Sequence, residues 1–249
     1  MLNSRFGLIG QSLNHSFSQQ FFRDFFSKND IDGTYENLEF QDIEALKSFF
    51  NDAVYNYAGL NVTIPYKTAV IPFLDRVDDE AKKIGAVNTI KVVSGQLVGY
   101  NTDVFGFRQS IKPFLTNKHE KAMVIGTGGA SKAIDFVLKK IGLEVLFISR
   151  QTNDSNDIFT YEEINNYMVD ACKLVVNCTP VGSYPFTEDE VLFPYEHLSE
   201  EHLVIDLIYN PSKTVFLKKS EDNSAQILNG SSMLSEQAMK SWQIWSQKD

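Results

Sequence analysis

The sequence predicts an α/β fold with two domains, each of them built on a mainly parallel sheet. Strand-like and helix-like segments follow one another along the whole chain of 249 residues. After Asn101 this pattern restarts, and a buried strand, a glycine-rich turn and a helix soon follow. The apolar fraction of 43% and the charged fraction of 22% are those of an ordinary globular protein.

The first domain opens with a β-α-β-α-β series, which implies parallel strands joined by crossover helices. Its segments are, in order, RFGLIG, SQQFFRDFFSKN, TYENLEF, QDIEALKSFF and YAGLNVT. A helix is expected next over 75–85, with Gly85 as its C-cap. The segment 88–101 then reads as a hairpin that turns at Ser94 and Gly95.

On pattern alone, the first domain spans roughly 1–101 and the second roughly 102–230. The second begins with a helix in DVFGFRQSIKPFL and a polar connection, TNKHEK. The strand, turn and helix of AMVIGTGGASKAIDFVLKKIG follow, and further buried strands are predicted in LEVLFISR, KLVVNCT and HLVIDLIY. The closing helix, SEQAMKSWQIW, has a wide apolar face that fits either domain.

The overall charge and the cysteine count limit the class of protein. A formal charge of −9 argues against a nucleic-acid binder, and it means that local donors must hold any anionic ligand. No apolar run is long enough for a signal peptide or a membrane span, so a cytoplasmic location is expected. Cys172 and Cys178 are too few for a disulfide framework, and nothing near them completes a zinc site. We therefore expect two buried thiols and no metal.

Gly126, Gly128 and Gly129 stand directly after a β-branched strand and directly before a helix. Glycines permit a tight turn and let backbone N–H groups approach a pyrophosphate, and a helix N-terminus attracts anions. Ala133 is the small residue that lets helix and strand close up. The turn therefore favours a dinucleotide site of the Rossmann type. The alternative is a turn needed only for close packing of the helix on the strand.

Arg150 ends the next strand, where an enzyme that uses NAD carries Asp or Glu for the ribose hydroxyls. An arginine accommodates a 2′-phosphate there, so NADP is favoured over NAD. The alternative is a solvated charge at a strand end. No second cation supports the phosphate, because Gln151, Asn153 and Asp154 follow, and Asp154 opposes it.

Polar residues follow the predicted strands of the first domain. Ser16 and Ser18 come after the first strand, and Thr63 and Lys67 come after the third. Ligands collect at the carboxyl ends of parallel strands, so these side chains are candidates for a binding site.

Asn88 and the run from Asn101 to Asp103 lie where elements meet. Each has a structural reading, because Ser18, Thr102 or Asp103 could cap a helix and Asn88 could serve a turn. Taken together, one lysine and one aspartate among neutral donors suit a small polyhydroxylated acid. The hydroxyls and amides would bind it, and the lysine and aspartate would handle a proton.

A series of motifs runs through the chain in the order GLIGQSLNHSFS, GLNVTIPYK, GAVNT, GYNTDVFGF, GTGGASKA, NCTPVG, DLIYNPSKT and GSSMLSEQA. This series resembles the shikimate dehydrogenase family nearly from end to end. The combination of N-V-T-x-P-x-K with N-T-D-x-x-G is far more specific than a glycine turn. The resemblance implies an NADP-dependent oxidoreductase that reversibly reduces 3-dehydroshikimate to shikimate in chorismate and aromatic amino acid biosynthesis.

The resemblance also implies a role for each matching residue. Lys67 and Asp103 would be the catalytic pair. The substrate would be held by Ser16 and Ser18 at its carboxylate with Tyr209 nearby, and at its ring hydroxyls by Thr63, Asn88 and Gln237. The cofactor would be held by Gly126, Thr127, Gly128, Gly129 and Ala130 at the pyrophosphate, by Arg150 at the adenosine phosphate, and by Thr179, Leu207 and Gly230 toward the nicotinamide.

By the same resemblance, the last helix returns to the first domain. An N-terminal α/β substrate domain would then comprise 1–101 plus 231–249, and a C-terminal Rossmann-type NADP domain would comprise 102–230. Ser12 and Gln19 stand where the family usually has proline, which alters loop stiffness and removes no donor.

Two alternatives stay open. The first is a quinate/shikimate dehydrogenase with relaxed substrate or NAD use, and the second is a non-catalytic module that binds NADP or shikimate. Methylene-tetrahydrofolate dehydrogenases share the two-domain plan, but the shikimate-binding residues argue against them. The expected partner is a small-molecule substrate, with no nucleic acid and no membrane, and the chain is expected to be a monomer or a homodimer.

Overall fold

The backbone divides into two units, which a computed structural model describes for residues 4–13, 16–151 and 157–247. The first unit comprises Met1–Thr102 and Ala238–Asp249, and the second comprises Asp103–Gln237. The second boundary therefore falls inside the last helix, later in the chain than the sequence-based boundary. Within the described residues, no helix combines the length and the apolar character needed to cross a membrane.

The sheet of the first unit has the strand order β2-β1-β3-β5-β6-β4. Its strands are β1 (Ser4–Gly10), β2 (Gly33–Glu39), β3 (Gly59–Val62), β4 (Arg76–Val77), β5 (Thr89–Val93) and β6 (Gln96–Tyr100). Strand β1 pairs in parallel with both β2 and β3, which confirms the predicted series, and β5 runs antiparallel to β3 and β6. The sheet is thus mixed and mainly parallel.

Three helices of the first unit are α1 (Phe17–Lys28), α2 (Ile43–Asn51) and α3 (Asp79–Ile84). Gly85 caps α3 with a φ of 70°, as predicted. The helix predicted over 75–85 starts too early, because the N–H groups of Asp75 and Asp78 bond to Leu97 and Gly99 and hold β4 in the sheet. The predicted hairpin is confirmed, with φ of 51° at Ser94 and 73° at Gly95.

The Phe-rich face of α1 packs into an aromatic core. Phe22 is fully buried and stacks on Tyr35 with 4.6 Å between ring centroids. Trp245 stacks on Phe6 at 5.0 Å, and its Nε1 donates to the carbonyl oxygen of Ile90 at 2.9 Å. This core fixes the position of α1 on the sheet, and with it the loop between β1 and α1.

The sheet of the second unit has the order β12-β11-β10-β7-β8-β9, and every pair is parallel. Its strands are β7 (Lys121–Ile125), β8 (Glu144–Ile148), β9 (Ile158–Phe159), β10 (Leu174–Asn177), β11 (Leu203–Asp206) and β12 (Gln226–Leu228). The order of strands reverses between β7 and β10, which is the switch point where ligands bind in doubly wound sheets. The predicted α/β class with a Rossmann-type second unit is confirmed.

The remaining helices are α4 (Asp103–Ile111), α5 (Gly129–Lys140), α6 (Asn166–Ala171), α7 (Val215–Asp222) and α8 (Ser231–Ser246). Helix α4 ends two residues before Pro113, short of the predicted end, because proline disfavours helical geometry in the residue before it. The sequence pattern did not indicate α6, α7, β9 or β12, which are short or lie at the sheet edges.

Candidate active site

The topology of the first sheet gathers the polar residues of this unit at one edge. Ile9 of β1 pairs with Val62 of β3, so the carboxyl ends of these strands lie side by side. The antiparallel pairs that Thr89 forms with Asn61 and Tyr100 bring the start of β5 and the end of β6 to the same edge. The loops that carry the predicted binding residues of this unit therefore begin or end here.

Ser16 and Ser18 form the start of α1. The Oγ of Ser16 accepts from the N–H of Ser18 at 3.3 Å, so the N-cap is Ser16, and the alternative of Ser18 as the cap is wrong. Ser18 is buried, and its hydroxyl is hydrogen-bonded to the side chain of Tyr35. The first turn of α1 contains no acidic residue, which leaves the helix N-terminus suited to an anion. Asn14 and His15 lie outside the described residues.

Backbone hydrogen bonds hold the segment from Thr63 to Lys67 on both sides. The N–H of Thr63 donates to the carbonyl of Ile9 at 2.8 Å, and the carbonyl of Lys67 accepts from the N–H of Val87 at 2.7 Å. Between them, Tyr66 is buried, and its hydroxyl donates to the carbonyl of Phe40 at 2.6 Å. The half-buried side chains of Thr63 and Lys67 therefore start from a fixed backbone.

The side-chain oxygen of Asn88 accepts hydrogen bonds from Thr102 and Thr89. Its Oδ1 accepts from the N–H of Thr102 at 2.7 Å and from the hydroxyls of Thr102 and Thr89 at 3.2 and 3.1 Å. A backbone N–H can only donate, so the amide orientation is fixed. The Asn88 side chain thus ties the start of β5 to the residue before α4, and its amide nitrogen points away from Thr102. Asp103, which follows Thr102 and begins α4, is 5% exposed.

Asn61 links several of these groups through the buried interior. Its Oδ1 accepts from the Tyr35 hydroxyl at 2.8 Å, and its Nδ2 donates to the carbonyl of Asn88 at 3.2 Å and to the Ser241 hydroxyl at 2.9 Å. The sequence analysis missed Asn61, Tyr35 and Ser241. The signal for Asn61 was an amide in an otherwise apolar buried strand, where it needs partners for every polar atom.

In the second unit, Gly126 follows β7 with a φ of 101°. A Cβ at this position would lie 3.0 Å from the Cγ2 of Thr179, which is tight. Gly126 is therefore required both for its backbone conformation and for the close approach of the turn that follows β10. Gly126 and Thr179, both predicted to contact the cofactor, are thereby brought together at the switch point.

Gly128 caps α5, and Gly129 is the first residue of this helix. A Cβ on Gly128 would meet nothing within 4 Å, so no protein atom crowds this part of the helix N-terminus. Thr127 is exposed, and Ala130 is half-buried. Ala133 is fully buried, as expected for the residue that lets α5 close on the sheet. The turn fits a pyrophosphate group through its backbone donors and the helix dipole.

Arg150 is exposed two residues after β8. Burial raises the pKa of Tyr161, and the charge of Arg150 lowers it by a smaller amount. Tyr161 was not foreseen, because it stands in a short helical turn far along the sequence. Asn153 and Asp154, which bear on phosphate binding, lie outside the described residues.

Asn177 and Asp206 form a buried pair at the ends of β10 and β11. The Nδ2 of Asn177 donates to Oδ1 of Asp206 at 3.1 Å, and both residues are fully buried. Burial raises the pKa of the Asp206 carboxyl to about 6, against the lowering effect of its hydrogen bonds to Thr214, Ile208 and Asn177. The sequence analysis missed this pair, although an aspartate that ends an apolar strand was a visible signal.

Leu207 and Gly230 lie in direct contact. A Cβ on Gly230 would lie 2.0 Å from the carbonyl oxygen of Leu207, so only glycine fits. The N–H of Gly230 donates to the carbonyl of Ile208 at 3.0 Å. Tyr209 is half-buried, and Gln237 is buried with its Nε2 donating to the carbonyl of Leu234 at 3.0 Å.

Asp103, Tyr209 and Gln237 belong to the second unit, whereas the other predicted substrate residues belong to the first. Cys172 is buried as predicted, and burial raises the pKa of its thiol to about 11. Cys178 is only half-buried, because it lies in the turn after β10. Among the residues that the structure describes, no group of His, Cys, Asp and Glu side chains could hold a metal ion.

Comparison of the sequence with known families finds relatives over nearly the whole chain. A model of the shikimate dehydrogenase substrate binding domain matches residues 8–90. A shikimate dehydrogenase (NADP(+)) from Methanosphaera stadtmanae is 37% identical over 260 residues, covering 97% of this chain and 91% of that protein.

Comparison with solved structures gives the same result. A shikimate 5-dehydrogenase from Thermus thermophilus in complex with NADP(H) and shikimate has a TM-score of 0.87 and 30% identity, covering 99% of this chain and 94% of that one. A quinate dehydrogenase from Corynebacterium glutamicum in complex with NAD has a TM-score of 0.86 and 28% identity, covering 98% and 94% of the two chains.

Proposed function

This chain belongs to the shikimate dehydrogenase family, and on that premise we propose that it catalyses the reversible NADP-dependent reduction of 3-dehydroshikimate to shikimate. Such a reaction belongs to the biosynthesis of aromatic amino acids. The observation that carries the proposal is the edge of the first sheet, where the loops that bear the neutral donors and the half-buried Lys67 begin or end. This is the chemistry that a small, hydroxylated, monoanionic acid requires.

The substrate carboxylate binds at the start of α1 in this proposal. Ser16 and Ser18 supply hydroxyl groups there, and the N-terminus of the helix supplies favourable partial charge. This arrangement holds an anion without a basic side chain, which suits a protein with a formal charge of −9. Tyr209 lies near the carboxylate in this proposal, and Thr63, Asn88 and Gln237 take the ring hydroxyls.

Asn88 meets its ring hydroxyl as a donor. Its Oδ1 accepts from Thr102 and Thr89, so a hydrogen bond from this side chain to a substrate hydroxyl comes from the amide nitrogen. A hydroxyl accepts such a bond and keeps its own proton for another partner. Asn88 can therefore hold the oxygen of this ring hydroxyl in a defined direction.

Lys67 and Asp103 form the catalytic pair. The Lys67 ammonium stabilises the charge that develops on the carbonyl oxygen during reduction, and then gives that oxygen its proton. In the reverse direction, neutral Lys67 accepts the proton of the substrate hydroxyl. Asp103 orients Lys67 and binds an adjacent hydroxyl group. The fixed backbone on both sides of Lys67 supports this role, because proton transfer depends on position.

NADP, when bound, supplies or accepts the hydride. The open turn at Gly126 to Ala130 fits its pyrophosphate, and Arg150 takes the phosphate on the adenosine ribose. Thr179, Leu207 and Gly230 hold the part of the cofactor that leads to the nicotinamide. The contacts of Gly126 with Thr179 and of Gly230 with Leu207 support this grouping.

The direct test is to incubate the purified protein with shikimate and NADP and to follow the absorbance of NADPH. Mass spectrometry of the product should show a loss of two hydrogen atoms from shikimate, since the reaction removes one hydride and one proton. Formation of NADPH without this product, or no formation at all, would refute the proposal.

A second candidate function is the oxidation of quinate with NAD. The similarity to a quinate dehydrogenase in complex with NAD favours it. The absence of a second cation directly after Arg150 also weakens the argument for NADP, because Gln151 stands there. Arg150 itself favours NADP, since no carboxylate occupies its position. The state of the chain as a monomer or a homodimer stays a prediction, which light scattering can measure.

A further inference from the structure

A buried hydrogen-bond network, which we call the Asp206 network, lies behind two of the loops that we propose bind NADP. Oδ1 of Asp206 accepts from the Ile208 N–H at 3.0 Å and from Asn177 Nδ2 at 3.1 Å, and its Oδ2 accepts from the Thr214 hydroxyl at 2.6 Å. Asn177 in turn accepts from the N–H and the hydroxyl of Thr179 at 3.0 and 2.7 Å. All of these residues belong to the second unit.

The direction of these bonds follows from the chemistry of the groups. An ionised carboxylate only accepts, so the Asn177 amide must present its nitrogen to Asp206. Its oxygen must then face Thr179, where it receives both donors of that residue. The Asp206 carboxylate and the Thr179 N–H, which can only donate, together fix the direction of the Asn177 amide, and Asn177 decides where the Thr179 hydroxyl points.

The same carboxylate also shapes the second loop. It holds the N–H of Ile208, directly after Leu207, whose carbonyl lies against Gly230. The N–H of Gly230 is bonded to the Ile208 carbonyl at 3.0 Å. The Asp206 side chain therefore anchors both the turn that carries Thr179 and the turn that carries Leu207. Because Leu207 packs against Gly230, Asp206 also influences where Gly230 lies.

An ionised carboxylate at Asp206 lowers the stability of the folded state. Asp206 is fully buried and its hydrogen bonds come from neutral groups, and a buried charge is costly unless it is well compensated. The raised pKa of the carboxyl reflects that cost. An asparagine would fill the same space without the charge. A neutral amide would, however, have to turn its nitrogen toward the Thr214 hydroxyl, because the Ile208 N–H requires an oxygen at the other position, and it would replace charge-assisted hydrogen bonds with weaker neutral ones.

We propose that Asp206 is a positioning residue, whose hydrogen bonds to Asn177 and to the Ile208 N–H tie the two turns together and thereby align Thr179 and Leu207 for NADP. This inference rests on the proposed function only for the identity of the cofactor. It adds Asp206 and Asn177 to the residues on which cofactor affinity depends, although we expect neither of them to touch the cofactor.

The test compares Asp206→Asn with the wild-type protein by isothermal titration calorimetry of NADP and by urea unfolding. We expect the dissociation constant for NADP to rise roughly fivefold to tenfold, the net effect of about one hydrogen bond. We expect the stability at neutral pH to be equal to or higher than that of the wild type, because a buried charge is removed. A role limited to folding would lower the stability and leave the affinity of the folded protein unchanged.

Asp75→Asn is the matched control, because Asp75 also accepts from a backbone N–H, that of Leu97 at 2.7 Å, and lies in the first unit. Its affinity for NADP should equal that of the wild type. An unchanged NADP affinity in Asp206→Asn would overturn the inference, and so would an equal loss of affinity in Asp75→Asn.

A second variant, Thr179→Val, keeps the shape of Thr179 and removes the hydroxyl that Asn177 orients. If Asp206 acts through this path, its effect on NADP affinity should shrink when the two substitutions are combined. Full additivity would count against the path. A failure of the proposed function can be told apart from a failure of this inference. A protein that binds NADP but does not oxidise shikimate would refute the proposed function, and calorimetry of Asp206→Asn would still test the inference.

Discussion

The position of Lys67 is fixed by a hydrogen bond of its own backbone and by the burial of its neighbour Tyr66. Tyr66 is buried and bonded to the Phe40 carbonyl, and the Lys67 carbonyl is bonded to the Val87 N–H. In the sequence, the same lysine stands alone after a proline and has the pattern of a surface charge. Only the pairing of β3 with β1 and β5 shows that this stretch lies at the edge where the polar loops meet.

Replacing Lys67 with alanine tests the proton transfer. We expect Lys67→Ala to fold normally and to lose turnover by about a hundredfold to ten-thousandfold, the usual contribution of a positioned acid or base. Steady-state kinetics with shikimate and NADP, together with circular dichroism, measure both properties. Lys47→Ala, which removes an exposed lysine from α2, is the control. Turnover of Lys67→Ala within tenfold of the control would exclude this role.

Arg150 tests the choice of cofactor. We expect Arg150→Gln to raise the KM for NADP by about tenfold to a hundredfold, because a bond between arginine and phosphate is charge-assisted. The KM for NAD, which lacks that phosphate, should change by less than about twofold. Arg76→Gln on the edge strand β4 is the control. A parallel rise of both constants would show that Arg150 does not read the phosphate.

At the scale of elements, two glycines of the turn between β7 and α5 serve different needs. Gly126 is needed for folding, and Gly128 is needed for the proposed binding of NADP. Gly126 has a φ of 101° and lies against Thr179, whereas Gly128 has a φ of −78° and open space around it. The two positions therefore predict different consequences for the same substitution.

We expect Gly126→Ala to lower the free energy of unfolding by about 1–3 kcal/mol, the usual cost of a strained backbone conformation. Gly128→Ala should change it by less than about 0.5 kcal/mol. Its methyl group would stand before the N-terminus of α5 and weaken NADP binding. Urea unfolding and calorimetry of NADP measure the two effects. Equal stability losses in both variants would contradict this division.

The sequence predicts the long elements well, because their periodicity and their glycines are local signals. It fails where the decision depends on partners that are distant in the chain. Arg76 and Val77 have helical neighbours but pair with β6, and Ser16 rather than Ser18 caps α1. Short elements such as α6 and β12 carry too few residues for a period to show.

The candidate site follows the same division. The glycine turn and the residues of the motifs could be named from the sequence, since each stands beside a predicted strand or turn. Asn61 and Asp206 stand out as polar residues in apolar strands, but their partners could not be named, because those hydrogen bonds run across strands. No pattern within one segment reveals such a partner.

For the whole molecule, stability should depend on pH through two buried histidines, His119 and His202. Burial is the main cause that lowers the pKa of both. The Nδ1 of each accepts from a backbone N–H, that of Thr116 at 2.9 Å and that of Ser199 at 3.0 Å, so the neutral ring is the form that fits. A group with a lowered folded pKa binds fewer protons in the folded state, and stability falls as the pH drops through its unfolded value.

We therefore expect the free energy of unfolding to decrease as the pH falls from about 8 to about 6. The effect of Asp206 on the free energy of unfolding has the opposite sign. Burial raises the pKa of Asp206 in the folded state to about 6, so its contribution to stability increases as the pH falls below that value. Urea unfolding across this range is the measurement, with the exposed His197 replaced by glutamine as the control. Stability that rises as the pH falls from 8 would contradict the assignment.

The central claim is that the polar loops at the edge of the first sheet serve shikimate and that the turn before α5 serves NADP. The most direct measurement is kcat/KM for shikimate and for quinate, each with NADP and with NAD, on one preparation of the wild-type protein. Shikimate with NADP should give the highest value, by at least about tenfold over either single exchange, which corresponds to about 1.4 kcal/mol of transition-state binding. A higher value for quinate or for NAD, or no turnover with shikimate, would contradict the claim.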